Sequence, residues 1–587
     1  MSSSTSQPPV IGGAAPKDPR PRADLVAAAR RRPGRLDWLR RRRRWAFPLV
    51  LVALLAQMAV AMVTTAVAQT PTIDEPVYVG TAVVYLEQHS LRYNPEHPPL
   101  GKLIIATGLA FADVRLDPAF AGDQTQLGRR VLYESGNDPG RLLLLARLPM
   151  IVLTLLFGLV VFAFARDLAG SVDDLAGTVG GLAALALYTF SPDVVAHGSL
   201  ATLDVPAAGF LLTSVWLLWR ARRRPVRYLP LAGLALGAAL AVKMSALAAV
   251  PVLLPLVVLS VRHAHGSRDV DQDRTTRLAR RLGFGAVAAA GVAVIAVAVV
   301  WASYLVVDPW LRWEAPVDLP AVQGLRALVG WLPLPEPYRD GMRVQFGFED
   351  RVWGGFLFGR HYAGSLWYYL PAALLVKTPL GTLALWLAGA VVLVAVPRLR
   401  PAALYVLVPA AVLLGTAMTG SRDLGVRYAI FVPVFLAIAV AGLVTVRRRW
   451  VHVAVAVLVV SVAVSSLRTF PYYLPYANEA FGGPARTHRH LHDSNVDWGQ
   501  DLGRLAERLR QRYPGEQVWL VYKGAGVPSY YGIDAADPRT VSPDQVGGLL
   551  VVSNSAIAKA DDRLAALIGG STPIDGVGHS ITIFRRP

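Results

Sequence analysis

Apolar residues fall along the chain in long uninterrupted runs rather than in the short alternations of a soluble core. The first run, 45–67, is long enough to cross a hydrocarbon layer about 30 Å thick. Comparable runs follow at 142–165, 175–188, 203–219, 228–242, 246–261, 283–307, 380–396, 402–418, 428–446 and 451–467. The pattern predicts a polytopic α-helical membrane protein of about eleven transmembrane helices. The stretch 228–261 reads either as two short helices or as one long tilted one. Between the runs, 80–86 and 100–111 are apolar at helical spacing but too short to cross comfortably, so they predict helices lying in the interface. Trp367, Tyr368 and Tyr369, followed by Lys377, have the aromatic and snorkelling character of a membrane boundary, where a half-inserted helix fits.

Beyond residue 467 the period changes. A polar helix is expected over 500–512, β-like runs at 518–522, 549–553 and 580–584, and a second helix near 556–568, which together predict a small α/β domain. The chain then divides into a disordered basic tail (1–44), a membrane domain (45–467) with long loops at 69–141 and 308–379, and a C-terminal domain (468–587).

Charge adds an orientation. The formal charge is +19, but Lys and Arg gather in short blocks at 41–44, 220–227, 262–281, 398–400 and 447–449, between apolar runs. That distribution is a set of topology signals and not a nucleic-acid face. Retaining those blocks in the cytoplasm places the N-terminus inside the cell membrane, with both long loops and the C-terminal domain outside. With 54% hydrophobic and 17% charged residues the chain has too little polar surface for a soluble globule. The absence of Cys excludes disulfides and thiolate chemistry. No Walker loop, dinucleotide fingerprint or internal repeat is present to suggest an ATP-driven pump.

Candidate chemistry lies in the outer loops and at the helix starts. Asp74 and Glu75 stand directly after the first span. Transfer to a hydroxyl needs such a carboxylate, because the acceptor oxygen must lose its proton as it attacks; an adjacent acid pair alone reads more readily as ordinary loop acids. In the segment Asn94-Pro95-Glu96-His97-Pro98-Pro99-Leu100-Gly101-Lys102, His97 and Lys102 can bind a phosphate or simply open a helix. Arg147, inside an apolar helix, is costly unless paired or snorkelling, and a lipid phosphate would satisfy it. Lys243 is a similar cation between two runs. Asp204 opens a span on the side of Asp74 and is otherwise a helix cap; Arg427 and Tyr428 open another, where an interfacial anchor is the plain alternative. Asp493, Asn495, Asp497, Trp498, Gln500 and Asp501 form a polar-aromatic cluster suited to a carbohydrate or polypeptide contact, or to capping the next helix.

The order of these motifs resembles the C-type glycosyltransferases of family 39, the protein O-mannosyltransferase-like and aminoarabinose transferase-like group. It rests on Asp74-Glu75, His97-Pro98-Pro99-Leu100 with Lys102, Ala146-Arg147-Leu148 and Asp204-Val205-Pro206. Trp367 to Pro371, Lys377-Thr378-Pro379, Arg427-Tyr428 and Asp493 to Asp501 are similar to a bacterial subgroup. The aminoarabinose branch typically has Lys where this chain has His97, and the MIR β-trefoil insertion of eukaryotic O-mannosyltransferases is missing, so the pattern is nearer the O-mannosyltransferase branch with its own C-terminal domain.

The resemblance implies a C-type glycosyltransferase fold and inverting transfer of a sugar from a polyprenyl-phosphate donor to a protein, glycan or lipid acceptor of the cell envelope. It implies Asp74 as general base and outer-loop cations on the donor phosphate, with Arg147 matching an arginine of the O-mannosyltransferase branch, while the aminoarabinose branch's phosphate contact does not carry over to His97. Glu75 and Asp204 are expected as orienting or acceptor-side carboxylates, and His97, Lys102 and Arg427 as further donor-side groups. Asp493, Asn495, Asp497 and Trp498 are expected on the acceptor. A divalent metal bridging Asp74 and Asp204 is an open alternative. Rival readings are a transporter or flippase of lipid-linked sugars, and a non-catalytic membrane scaffold.

Overall fold

A computed structural model describes the backbone of residues 35–265 and 274–587. By internal contacts the chain divides into Met1–Val50 and Leu51–Pro587. Of the tail expected to be disordered, residues 1–34 lie outside the described residues, and from Arg35 the backbone is already helical.

Every expected span meets a helix, but fewer than eleven are long and apolar enough to cross a membrane. Among the described residues eight qualify: Trp45–Ala68, Pro139–Ala169, Pro225–Val242, Met244–Ala264, Leu282–Val307, Arg400–Ala417, Val426–Val444 and Arg449–Thr469. Two bent pairs raise the number to ten: Asp174–Thr189 with Pro192–Gly198, bent by 64°, and Tyr369–Lys377 with Leu380–Ala395, bent by 118°. Both breaks precede a proline, whose ring disfavours helical backbone in the residue before it; Ser191 and Thr378 are accordingly extended. The 118° bend sets the short helix after Trp367 apart from Leu380–Ala395, the geometry of either a broken span or a re-entrant segment. The expected span 203–219 is the helix Asp204–Ala221, which begins on an acid, carries Arg220 in its last turn and is buried through most of its length. The stretch 228–261 is two elements, because the backbone of Lys243 is extended and stops the first helix. Valines and leucines such as Val152, Leu156, Val287, Val294, Val453 and Val457 stand exposed on the outward faces, where hydrocarbon replaces water as solvent.

The two short apolar stretches expected in the interface are the helices Glu75–Glu87 and Pro99–Leu109. The second packs closely on Pro139–Ala169: a Cβ at Gly108 would come within 1.9 Å of the Leu145 carbonyl oxygen. Between the span Leu282–Val307 and the bent pair that begins at Tyr369, β1 (Gly354–Leu357) and β2 (Arg360–Ala363) form an antiparallel hairpin.

The C-terminal domain holds the helix Leu502–Arg512 and the strands β3 (Val518–Val521), β4 (Ala535–Ala536), β5 (Gly548–Ser553), β6 (Thr572–Val577) and β7 (Ile581–Arg586). Their order in the sheet is β4-β3-β5-β7-β6, with β3 parallel to β4 and β5, and β7 antiparallel to β5 and β6. Alternate residues of β5 feed two cores. Leu549 and Val551 meet Leu502, Leu505 and Leu509, while Leu550 and Val552 meet Trp519, Leu564 and Leu567. A strand buried on both faces reads as a continuous apolar run, which is why β5 was visible in the sequence.

Candidate active site

Four charged side chains from distant parts of the chain meet at one end of the bundle. Asp74 occupies the cap position of the helix Glu75–Glu87, but its side chain caps nothing there. Its Oδ2 instead accepts a hydrogen bond from Arg427 Nη1 at 2.6 Å. The same Nη1 lies 4.0 Å from Asp204 Oδ2, and Asp204 Oδ1 accepts from the ammonium of Lys243.

Helix ends explain three of the four positions. Acids are favoured at the positive N-terminal end, where Asp74 and Asp204 stand, and cations at the negative C-terminal end, where Lys243 follows Val242. Arg427, in the turn Val426–Ala429 that opens a helix, stands at the end unfavourable to a cation and is held by the two carboxylates.

Accessibility separates the three acids. The Asp74 side chain is 27% exposed, against 4% for Asp204 and none for Glu75. Only Asp74 among them has a face open to a substrate. Arg427 lies against the Trp498 ring, 4.3 Å from its centroid, and near that of Tyr428 at 5.0 Å. Its Nε has no hydrogen-bond partner among the described residues, and Nη2 makes only a 3.5 Å contact to the Tyr428 hydroxyl.

Arg147 is the opposite case. Nε and Nη2 grip both oxygens of Glu75 at 2.7 and 2.6 Å, Nη1 donates to the Ala66 and Gln69 carbonyls, and Nη2 also to that of Thr70. All five N–H groups of the guanidinium are used. Neither residue of the pair is exposed. The phosphate contact expected of Arg147 therefore has no donor left to carry it. Glu75, which also accepts from Thr72 and from the Ala201 amide, cannot orient an acceptor. Burial alone would raise the Glu75 carboxyl, but Arg147 and these hydrogen bonds hold it below its ordinary range.

Lys102 is likewise consumed: its three N–H groups donate to the Asn94 carbonyl, Asn94 Oδ1 and the His97 carbonyl. It fixes the Asn94–His97 turn and is too buried to meet a phosphate; burial pulls its ammonium down to about 7. His97 stands edge-on to Tyr78 with ring centroids 5.7 Å apart. Burial, then Lys243 and Lys102, push it well below the ordinary histidine range, so it serves as a neutral imidazole and not as a phosphate-binding cation.

The acceptor contacts expected after residue 492 are also buried. Trp498 is 1% exposed, Asn495 0%, Asp497 1% and Asp493 7%, which leaves no surface for a sugar ring. Asn495 Oδ1 accepts from the Val426 amide and its Nδ2 donates to the Tyr369 hydroxyl. Asp493 is paired with Lys523. Asp497 accepts from the Gly499 amide, and burial pushes its carboxyl up to about 7. The capping alternative fails as well, since Asp501 makes no cap hydrogen bond and pairs with Arg504 and Ser580.

Lys243, noted in the sequence only as a cation similar to Arg147, and His197, of which no role was expected, belong to the site. An isolated Lys between two apolar runs was the available signal for the first. His197, edge-on to Trp498 with centroids 6.0 Å apart, had none. The guanidinium of Arg427 stands where a metal would bridge Asp74 and Asp204. No group of three or more His, Asp or Glu side chains among the described residues is arranged to hold a metal ion.

A carboxylate with one open face, opposed by an arginine with unspent donors at the end of a helical bundle, defines a polytopic membrane protein with a polar site at one face of its membrane domain. Residues 51–307 match the model of the dolichyl-phosphate-mannose-protein mannosyltransferase family, which bears out over that segment the resemblance to family 39 C-type glycosyltransferases. The match spans less than half of the chain and includes Asp74, Asp204 and Lys243 but not Arg427. No curated protein sequence matches the chain. Among solved structures the chain is similar to ArnT from Cupriavidus metallidurans bound to undecaprenyl phosphate, at 15% identity over 91% of this chain and 97% of that one, with a TM-score of 0.42. The apo state of the same protein gives 15% identity, the same coverage and a TM-score of 0.43. The S. cerevisiae protein O-mannosyltransferase Pmt1-Pmt2 complex bound to the sugar donor gives 18% identity over 46% and 34%, with a TM-score of 0.35. Likenesses at these scores carry no argument about the site.

Proposed function

We propose that the protein transfers a sugar from a polyprenyl-phosphate donor to a hydroxyl of a cell-envelope acceptor at the extracytoplasmic face of the membrane. The observation that carries this reading is the opposition of Asp74, the one accessible carboxylate of the cluster, to Arg427. The match of residues 51–307 to a family named for dolichyl-phosphate-mannose supports a lipid-phosphate donor. Helices that begin or end at the site have Arg clusters at their other ends, as in Asp204–Ala221 with 220–224 and Val426–Val444 with 447–449. Because Lys and Arg are in excess on cytoplasmic loops, these clusters support a position outside for the site and the C-terminal domain.

In this reading the prenyl chain stays in the bilayer and the phosphate comes to Arg427 and Lys243. The sugar enters by parting the Asp74–Arg427 pair. Asp74, released from its cation, takes the proton of the acceptor hydroxyl as that oxygen bonds to the anomeric carbon. The bond from the anomeric carbon to the phosphate oxygen breaks on the opposite side, which inverts the centre, and the lipid phosphate leaves with its new charge on Arg427 and Lys243. Asp204 keeps both cations in place between turnovers.

The test is transfer of radiolabel from a panel of polyprenyl-phosphate sugars in membranes holding equal amounts of the wild-type chain, Asp74→Asn or Arg427→Ala. Transfer by the wild type that is lost in both variants is expected. Wild-type membranes inactive with every donor, or an Asp74→Asn variant as active as wild type, overturn the reading.

A further inference from the structure

The loop 493–501 that leads into the C-terminal domain is hydrogen-bonded to the backbone beside both partners of the Asp74–Arg427 pair. On one side the Trp498 carbonyl accepts from the Ile73 amide at 3.0 Å, next to Asp74, and the Gln500 carbonyl accepts from the Thr70 amide at 3.0 Å. On the other, Asn495 Oδ1 accepts from the Val426 amide at 2.9 Å, next to Arg427. Ser494 donates through its amide and hydroxyl to the Leu424 carbonyl. Gly425 permits that approach: its φ of +154° suits glycine, and a Cβ there would come within 2.0 Å of Ser494 Oγ. The loop therefore sets the separation between the base and the arginine.

Trp498 adds the orientation. Its backbone amide donates to Gln500 Oε1 at 2.7 Å, and its ring is enclosed. The guanidinium of Arg427 rests on that ring. An aromatic face attracts a cation without accepting its N–H groups in the plane, so this contact holds the side chain while leaving Nε and Nη2 without strong acceptors. A carboxylate in the place of the indole would have used those donors, as Glu75 uses those of Arg147.

We propose that Trp498 is a positioning residue for donor recognition: its indole face keeps the Arg427 guanidinium in the plane from which it meets the phosphate of a polyprenyl-phosphate donor. This rests on the reading of Arg427 as the phosphate contact. Trp498 touches neither reacting partner and acts only through Arg427.

The experiment measures binding of undecaprenyl phosphate to the purified full-length chain in lipid nanodiscs for wild type, Trp498→Phe, Trp498→Tyr, Trp498→Leu and Arg427→Ala, and for Trp498→Leu combined with Arg427→Ala. A desolvated cation–π contact supports a loss of about tenfold in affinity for Trp498→Leu, with Tyr and Phe recovering most of it. In the Arg427→Ala background Trp498→Leu should cause no further loss. Equal losses in the Phe, Tyr and Leu variants, or an undiminished loss in the Arg427→Ala background, overturn the positioning role while leaving the phosphate reading intact. Wild-type affinity in Arg427→Ala overturns the phosphate reading itself. Should Trp498→Leu not fold, Trp498→Met takes its place as the non-aromatic variant: wild-type affinity in it, or a loss that persists with Arg427→Ala, refutes the proposal.

Discussion

Replacing Arg147 by methionine should unfold the membrane domain rather than disable a folded enzyme. The substitution leaves the Glu75 carboxylate fully buried with only the Thr72 and Ala201 donors. Breaking a buried ion pair by removing one partner costs about 3–5 kcal/mol, because the remaining charge is uncompensated. The carbonyls of Ala66, Gln69 and Thr70 lose their donor as well, each at about 1–3 kcal/mol where no water reaches them. The total is comparable with the whole stability of about 5–15 kcal/mol of an ordinary domain. Replacing both partners, as Glu75→Leu with Arg147→Met, removes the stranded charge and should fall short of the sum of the single effects by about 2–3 kcal/mol. The assay is thermal unfolding in detergent for both single variants and the double, with binding of undecaprenyl phosphate measured on whatever fraction stays folded. An Arg147→Met protein of undiminished thermal stability that has lost the lipid phosphate refutes the argument and restores Arg147 as a donor contact.

Asp74→Asn should lower transfer by about 10²–10⁴-fold, the usual contribution of a general base, while thermal unfolding changes little because the pair is partly open to solvent; a parallel loss of stability would point to a structural acid. Asp497 predicts a pH effect. Its folded carboxyl stands near 7 and its unfolded one in the ordinary range, so the folded state binds the extra proton and stability is lost as pH rises from about 4 to 7, at about 1.4 kcal/mol per unit. Denaturant titrations should show that slope reduced in Asp497→Asn, and an unchanged slope contradicts it. Lys377 donates to the Leu474 and Asn495 carbonyls beside Asp193, between the two broken spans. Lys377→Met should destabilise by about 3–5 kcal/mol, read as heat-induced loss of monodisperse protein, and more than Asp193→Asn.

Most of the membrane fold was legible because hydrocarbon imposes length and composition at once. Each run above about eighteen apolar residues met a helix, and the stop at Lys243 was one of two readings left open. The number of spans was less legible. Pro192 and Pro379 break helices in three dimensions, and the stretch 203–219 is apolar because other helices surround it as much as because lipid does. In the C-terminal domain β3, β5 and β7 showed as apolar runs. The edge strand β6 did not, since Pro573, Asp575 and a bulge interrupt its alternation and its residues are largely exposed. β4 is two residues long and carries no pattern at all.

The site was legible as an inventory of charges but not as an assignment of roles, and the two arginines show why. Arg147 and Arg427 are both cations at the end of an apolar helix, and hydropathy treats them alike. What separates them is how many of their N–H groups the protein itself consumes. Arg147 spends all five on Glu75 and three carbonyls whose partners lie up to 81 positions away, so its charge is cancelled internally and it behaves as a strut. Arg427 faces one accessible carboxylate, a second at 4.0 Å, and an aromatic ring that attracts without accepting. A buried arginine left short of acceptors keeps donors for an anion that one with all five spent does not, and that difference is the ground on which Arg427, and not Arg147, is proposed as the phosphate contact.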